Sequence, residues 1–507
     1  MTKKKAFAIL QLVKRLTNCE IGRKRNIMCR KNNIRIATAF LAAAMLLTGC
    51  GAAPAETEAP TMAAETEAPM VATEPAGPRY QVEWARDAVI YEVNVRQYTE
   101  EGTFAAFGAH LQTLKDMGIN TLWSMPIHPI SQTKRAGTLG SYYSITDYRA
   151  VNPEFGTAED FKTLVEQAHD MGFHVMLDWV ANHTGWDCPW IKDHPDWYTQ
   201  DENGKIIDPA GMGWADVADL NYDNMEMREE MIACMKYWVE EYDIDGFRCD
   251  FAYGVPQSFW EAARAELETL KPMLMLAEDD LNLDLLDMAF DMNYNLGLYD
   301  TLVAVAHDSK SADRIKTYIP TSFPDGTYTM NFLDNHDKNS YDRTILEGIG
   351  KDALPAMFSL IYTIPGTPMI YTGNEIGLDH AIAFMEKDTI DWDSSDVDYR
   401  PLLAELSDIR SENEALHSGN YGGEIEYLDL GKKAVFAFSR QVEGNTVLGV
   451  FNLTKRESPV DVTGLFDGTE TVLLHGQGAD VLQMEDCPLT LSGEVTLQPW
   501  EFWIISK

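Results

Sequence analysis

Eight short apolar runs alternate with helical periodicity between residues 89 and 371, at 89–95, 121–126, 173–180, 246–249, 273–277, 289–292, 328–333 and 368–371. Near-continuous apolar runs of this length read as strands buried on both faces, and parallel strands covered by helices are the usual form of that burial. Helical periods at 104–117, 160–171 and 227–242 lie between runs. Eight such units predict an α/β fold, a (β/α)8 TIM barrel. The alternation breaks once, after the third run, where residues 184–220 are rich in Trp, Pro, Gly and Asp and hold no sustained period. It stops after 413, where 424–428, 434–439, 446–451 and 501–505 read as strands between turn-rich stretches. The expected division is a barrel over 80–183 and 221–412, an insertion over 184–220 and an all-β sandwich over 413–507.

Several runs end in polar residues, as barrel strands do where their C-terminal ends open into a site. The fourth ends Asp245-Gly246-Phe247-Arg248-Cys249-Asp250. Residues two apart on a strand share a face, so Arg248 sits beside Asp250 and is expected to hold it ionised. The structural alternative is an ordinary Arg–Asp pair. Glu278 closes the fifth run, Asn335-His336-Asp337 the seventh, and Asp178 to His183 the third. Asp279 and Asp280 follow Glu278 directly, and strand alternation puts Asp280 on the same face, so position alone does not choose between them.

In order along the chain stand Asp178 to His183, Asp219-Leu220-Asn221, Gly246 to Asp250, Glu278, Asn335-His336-Asp337 and Gly366 to Glu375. This series resembles the α-amylase family of glycoside hydrolases (family 13). The resemblance runs from about Val89 to the C-terminus and makes the 184–220 insertion a short form of the family's B domain. It implies retaining cleavage of α-1,4 bonds in starch, maltodextrins or related α-glucans. It makes Asp250 the nucleophile, Glu278 the general acid and base, and Asp337 the carboxylate that binds sugar hydroxyls. Retaining enzymes place the two reacting carboxyls about 5–5.5 Å apart, and like charges nearby are expected to raise Glu278. The resemblance assigns His183 and His336 to sugar hydroxyls and Tyr143 to the aromatic under the cleaved sugar, with Tyr142 as the competing choice. Arg248 completes the substrate site, and Asp178 is expected to organise it. Asn182 and Asp219 match the side chains with which relatives bind calcium. Two departures weigh against calcium and alter the leaving-group side: Gly254 stands where many relatives have His, and Tyr253 where Lys is common. A transferase or isomerase would use the same residues, and a glycan-binding lipoprotein without catalysis is a further alternative.

Trp179, Trp186, Trp190, Trp197 and Trp214 crowd the insertion. Trp179 is expected in the core, and the loop tryptophans are candidates for sugar platforms. His128 is expected to be structural.

The 507 residues carry a net charge of −38. The first fifty hold eleven Lys or Arg against one acid, Glu20, so they contribute +10 and the rest −48. So acidic a body excludes nucleic acid and anionic lipid headgroups as partners. The basic stretch precedes an apolar run at 36–48, too short to span a bilayer, which ends Leu47-Thr48-Gly49-Cys50. This resembles a bacterial lipoprotein signal: residues 1–49 removed, Cys50 lipidated, and the protein held on the cell surface or extracytoplasmic membrane face. An ordinary cleaved secretory signal is the alternative, and a start at Met28 would give a leader of conventional length. Residues 50–79 repeat Ala-Glu-Thr-Glu-Ala-Pro and read as a disordered acidic tether. Cys188, Cys234, Cys249 and Cys487 have no metal-like spacing and suggest no disulfide framework; Cys249 is expected to face away from Arg248 and Asp250. Oligomeric state is open from sequence.

Overall fold

The computed structural model describes residues 82–280, 282–319, 323–482 and 488–507. The expected leader, Cys50, the 50–79 tether and Cys487 lie outside them. Eight parallel strands close a barrel: β1 (Ile90–Val93), β2 (Thr121–Ser124), β3 (His174–Trp179), β4 (Gly246–Cys249), β5 (Leu274–Ala277), β6 (Met292–Tyr294), β7 (Tyr328–Phe332) and β8 (Thr367–Tyr371). β1 closes the barrel by pairing with both β2 and β8. Every residue of β1, β2, β4, β5, β6 and β8 is buried, which is why these strands read as continuous apolar runs.

The sixth strand starts later than the sequence suggests, at Met292. Asp291 accepts from Arg264 Nη1 at 2.6 Å and from the Met275 N–H at 2.8 Å, and the ladder begins beyond this clamp. The helix expected over 104–117 is two, Phe104–Gly108 and Leu111–Asp116. The break follows Gly108, a residue that weakens a helix interior. The insertion contains a small antiparallel ribbon, His183–Gly185 with Val217–Asp219, in which Asp219 pairs with His183.

The C-terminal part is all-β. Its antiparallel sheet runs Glu424–Tyr427, Val435–Val442, Asn445–Asn452, Glu501–Ser506, Thr471–Gln477, Asp480–Leu482, and a separate ribbon pairs Ser458–Asp461 with Glu494–Leu497. The four strands read from sequence are present; the other four are short or only half apolar, as in Thr471–Gln477, whose buried residues alternate with exposed or half-exposed ones. Among the described residues no helix is long and apolar enough to cross a membrane.

Candidate active site

Asp178 on β3 is directly opposite Arg248 on β4, and Arg248 opposite Leu276 on β5. Residues two places on, Asp250 and Glu278, therefore reach the rim side by side. The Arg248 guanidinium is fully buried. Its Nη1 donates to Asp178 Oδ1 and Oδ2 at 2.9 and 3.1 Å and to Asp250 Oδ1 at 3.1 Å, and its Nε donates to the Tyr294 hydroxyl at 3.0 Å. Nη2 lies 3.0 Å from Glu278 Oε2 as an ion pair, but out of hydrogen-bonding alignment. Glu278, not Asp280, thus reaches the guanidinium. Asp178 also accepts from Trp123 Nε1 and the Tyr143 hydroxyl, so it organises Arg248 as expected.

One cation faces three carboxylates, and this corrects the electrostatic expectation. Burial, then Glu278, push the Asp250 carboxyl well above the usual range; Arg248 opposes them without prevailing. Burial likewise raises Asp178 to about 6 against Arg248 and His336. The resting cluster therefore retains a proton where isolated carboxyls would have lost theirs.

The turn after Asp250 explains how Glu278 is held. Phe251 adopts the left-handed conformation, φ 47°, which costs a non-glycine residue about 1 kcal/mol or more. In return its N–H donates to Glu278 Oε2 at 2.7 Å. The Phe251 ring fills the space beside residue 254: a Cβ on Gly254 would overlap the ring and stand 2.8 Å from Asn182 Oδ1. That is the physical reason this chain has glycine there. Phe251 also packs against Trp214 and against Tyr253, which is 56% exposed and whose hydroxyl burial, then Glu278, raise to about 12. An open aromatic ring thus borders the acid.

Across the rim, Asp337 follows β7 with its side chain 47% exposed, open to a ligand, and one oxygen 3.7 Å from His336 Nε2. His336 is buried. Its Nδ1 is hydrogen-bonded to Glu92 Oε1 and its Nε2 to the Tyr143 hydroxyl at 2.9 Å. The Tyr143 ring is half-buried, stacked with His336 and parallel to Phe384. Tyr142 is buried, donates to Asn94 Oδ1 and carries the Arg96 guanidinium on its ring, so Tyr143 and not Tyr142 faces the site. Phe384 also contacts Tyr341, a second exposed tyrosine.

His183 lies in the ribbon, nearly buried, packed on Trp214. Burial lowers it to about 4, so it is a neutral imidazole. Asn182 Nδ2 meets His183 Nδ1 at 3.3 Å. Burial raises the Asp219 carboxyl, and Asp208 adds to the shift. Calcium takes about six to eight oxygens; Asn182 and Asp219 supply two side chains, and among the described residues no group of three or more His, Cys, Asp or Glu could hold a metal ion. Backbone carbonyls and water would have to complete such a set, and no step below runs through it. Trp179 and His128 are core residues, and Trp197 is buried as well. Trp190 stacks on Tyr148, and Trp186 lies under Lys134; of the insertion's tryptophans, Trp214 packs on His183 and Phe251. Cys249 is fully buried.

Glu92, Phe251, Tyr294, Tyr341 and Phe384 escaped the sequence reading. Glu92 alone carried a signal, an acid in the middle of an apolar strand.

A family model described as the α-amylase catalytic domain matches residues 83–206 and 211–275. An α-amylase from Lactobacillus plantarum, known as a crystal structure, is 30% identical with a TM-score of 0.74, over 84% of this chain and 99% of that one. A noncanonic maltogenic α-amylase from Thermotoga neapolitana is 27% identical with a TM-score of 0.72, over 83% and 98%. The α-amylase MalA of Haloarcula japonica is 26% identical over 78% of this chain, and the match spans only 60% of that longer protein. Barrel, motif order and these likenesses agree: the chain belongs to the α-amylase family.

Proposed function

We propose that this protein is a retaining glycoside hydrolase that cleaves α-1,4 bonds of starch, maltodextrins or related α-glucans. The observation that carries the reading is the pair Asp250 and Glu278 at the ends of adjacent strands, both against one buried guanidinium, with Asp337 and His336 facing them. Acetal cleavage needs a proton at the leaving oxygen and an anion at the opposite face of the anomeric carbon. The proton held by the cluster supplies the first when it resides on Glu278. Asp250, then ionised, attacks the anomeric carbon as the bond to the leaving oxygen breaks. Water, deprotonated by Glu278, releases the sugar from Asp250 with net retention. Tyr143 offers an apolar ring face to the sugar, and Asp337 accepts from its hydroxyls. Arg248 is the fixed positive charge around which the proton moves.

Maltoheptaose tests this. Shorter oligosaccharides with a gain in reducing ends are expected, and Asp250→Asn is expected to lose about 10³-fold or more in kcat. Larger oligomers without that gain would make the protein a transferase on the same residues, and starch binding without any sugar release would leave a binding protein.

The lipoprotein reading belongs to the same proposal. Leu47-Thr48-Gly49-Cys50 fits lipidation at Cys50, with 50–79 as the tether and a location on the extracytoplasmic face of a bacterial membrane. Detergent-phase partitioning that Cys50→Ser abolishes is the expected result. Calcium enters no step; chelation is expected to leave the melting temperature unchanged, and a fall would place an ion at Asn182 and Asp219.

A further inference from the structure

Glu92 has no role in the reaction as written, yet it is an acid with no exposed surface in the middle of β1. Its Oε1 meets His336 Nδ1, and its Oε2 has no hydrogen-bond partner. A carboxyl buried in this way is costly unless a partner repays it, and among the described residues the cation in direct contact with it would be His336.

With Asp178 ionised, the contacts imply one arrangement of protons. The Tyr143 hydroxyl has one hydrogen and donates it to Asp178 Oδ2 at 3.0 Å. Toward His336 Nε2, at 2.9 Å, it can then only accept, so Nε2 carries a hydrogen. Nδ1 faces a carboxylate oxygen and carries the other. We propose that Glu92 is a positioning residue that holds His336 as a doubly protonated imidazolium and so makes Nε2–H a charge-assisted donor to the hydroxyl of Tyr143, whose ring lies beneath the sugar. The proposal deepens the reading of the site given above and rests on it. Glu92 and His336 together are neutral, so the donor gains strength without a net charge that would oppose the developing oxocarbenium ion.

The surroundings agree. Burial alone lowers His336, but Glu92 and Asp337 outweigh it and raise the imidazole to about 9 against Arg248. The other groups around the pair are Tyr143 and Asp178, with Asp334, Tyr294 and Tyr371 on the Glu92 side.

Two measurements on the full chain test this. Nitrogen-15 histidine spectra, with His336→Gln to assign the signal, report the protonation of His336 without substrate. Both ring nitrogens are expected to stay protonated through about pH 8 in the wild type and to titrate at lower pH in Glu92→Gln. The second is the ratio of wild-type to Glu92→Gln kcat/KM against pH. Groups common to both proteins cancel in the ratio. Loss of one charge-assisted hydrogen bond predicts a deficit of about tenfold or more near pH 8, shrinking toward about pH 5 as His336 regains its proton. Glu92→Asp, which keeps the charge, is expected to recover part of the activity. A wild-type His336 that is singly protonated at neutral pH, or a ratio flat with pH, overturns the proposal. The first result does so whatever the enzyme's substrate proves to be.

Discussion

Arg248 is the residue on which the site's electrostatics turns. Its positive charge serves Asp178, Asp250 and Glu278 together, so the three acids cannot all be ionised cheaply. The consequence is a pH dependence with a definite sign. Asp250 attacks only as an anion, and its carboxyl is raised above the usual range. Activity must therefore fall, as pH decreases, before an ordinary aspartate near about 3.9 would gain its proton. A profile of kcat/KM against pH is expected to show its acid limb well above that value, and a limb at about 4 would refute the shared-proton account. That Asp250, Glu278 and Asp337 stand just past the ends of barrel strands was legible in the chain, because strand periodicity is local information. Their protonation was not. An Arg two residues before an Asp suggests a lowered pKa; burial first, and then the approach of Glu278 to the same guanidinium, reverse it.

At the scale of elements, the turn from β4 into the following helix does the positioning. Phe251 accepts a left-handed backbone and thereby aims its N–H at Glu278. Gly254 leaves room for the Phe251 ring. Gly254→Ala is expected to displace that ring and with it the acid, lowering kcat by about 10²-fold, the scale of a 1 Å misplacement. Thermal denaturation of the same variant shows whether the fold survives; unchanged kcat in a folded variant would remove the turn from the mechanism. Strands were read best where both faces are buried, as in β4 and β5. β6 was placed early because Asp291, clamped by Arg264, ends the turn rather than starting the strand. In the C-terminal sheet, Thr471–Gln477 alternates buried with less buried residues and lacks the continuous apolar signal that marked the barrel.

At the scale of the whole molecule, barrel and β-domain are joined through buried arginines rather than apolar contact alone. Arg440, on the strand Val435–Val442, donates to the carbonyls of Thr363, Leu416, His417 and Gly423. Arg410 donates to those of Tyr362, Leu416 and Gly366 from the barrel side. Arg440→Met would leave four carbonyls without that donor, at about 1–3 kcal/mol for each one left unsatisfied. A lower melting temperature, or a second unfolding transition as the β-domain separates, is the expected calorimetric result; an unchanged single transition would show that the arginine does not hold the two together. The amino-acid sequence by itself determined the barrel, the break after its third strand, the all-β character of the C-terminal part and the strand-end positions of the three acids, because periodicity and the burial of a strand's two faces are written in neighbouring residues. Only the tertiary structure decided that three acids share one buried guanidinium, why residue 254 is glycine, and that Glu92 meets a histidine 244 residues away. Those depend on distances and burial that exist only once β1 has closed against β8 and brought distant residues into one low-dielectric interior.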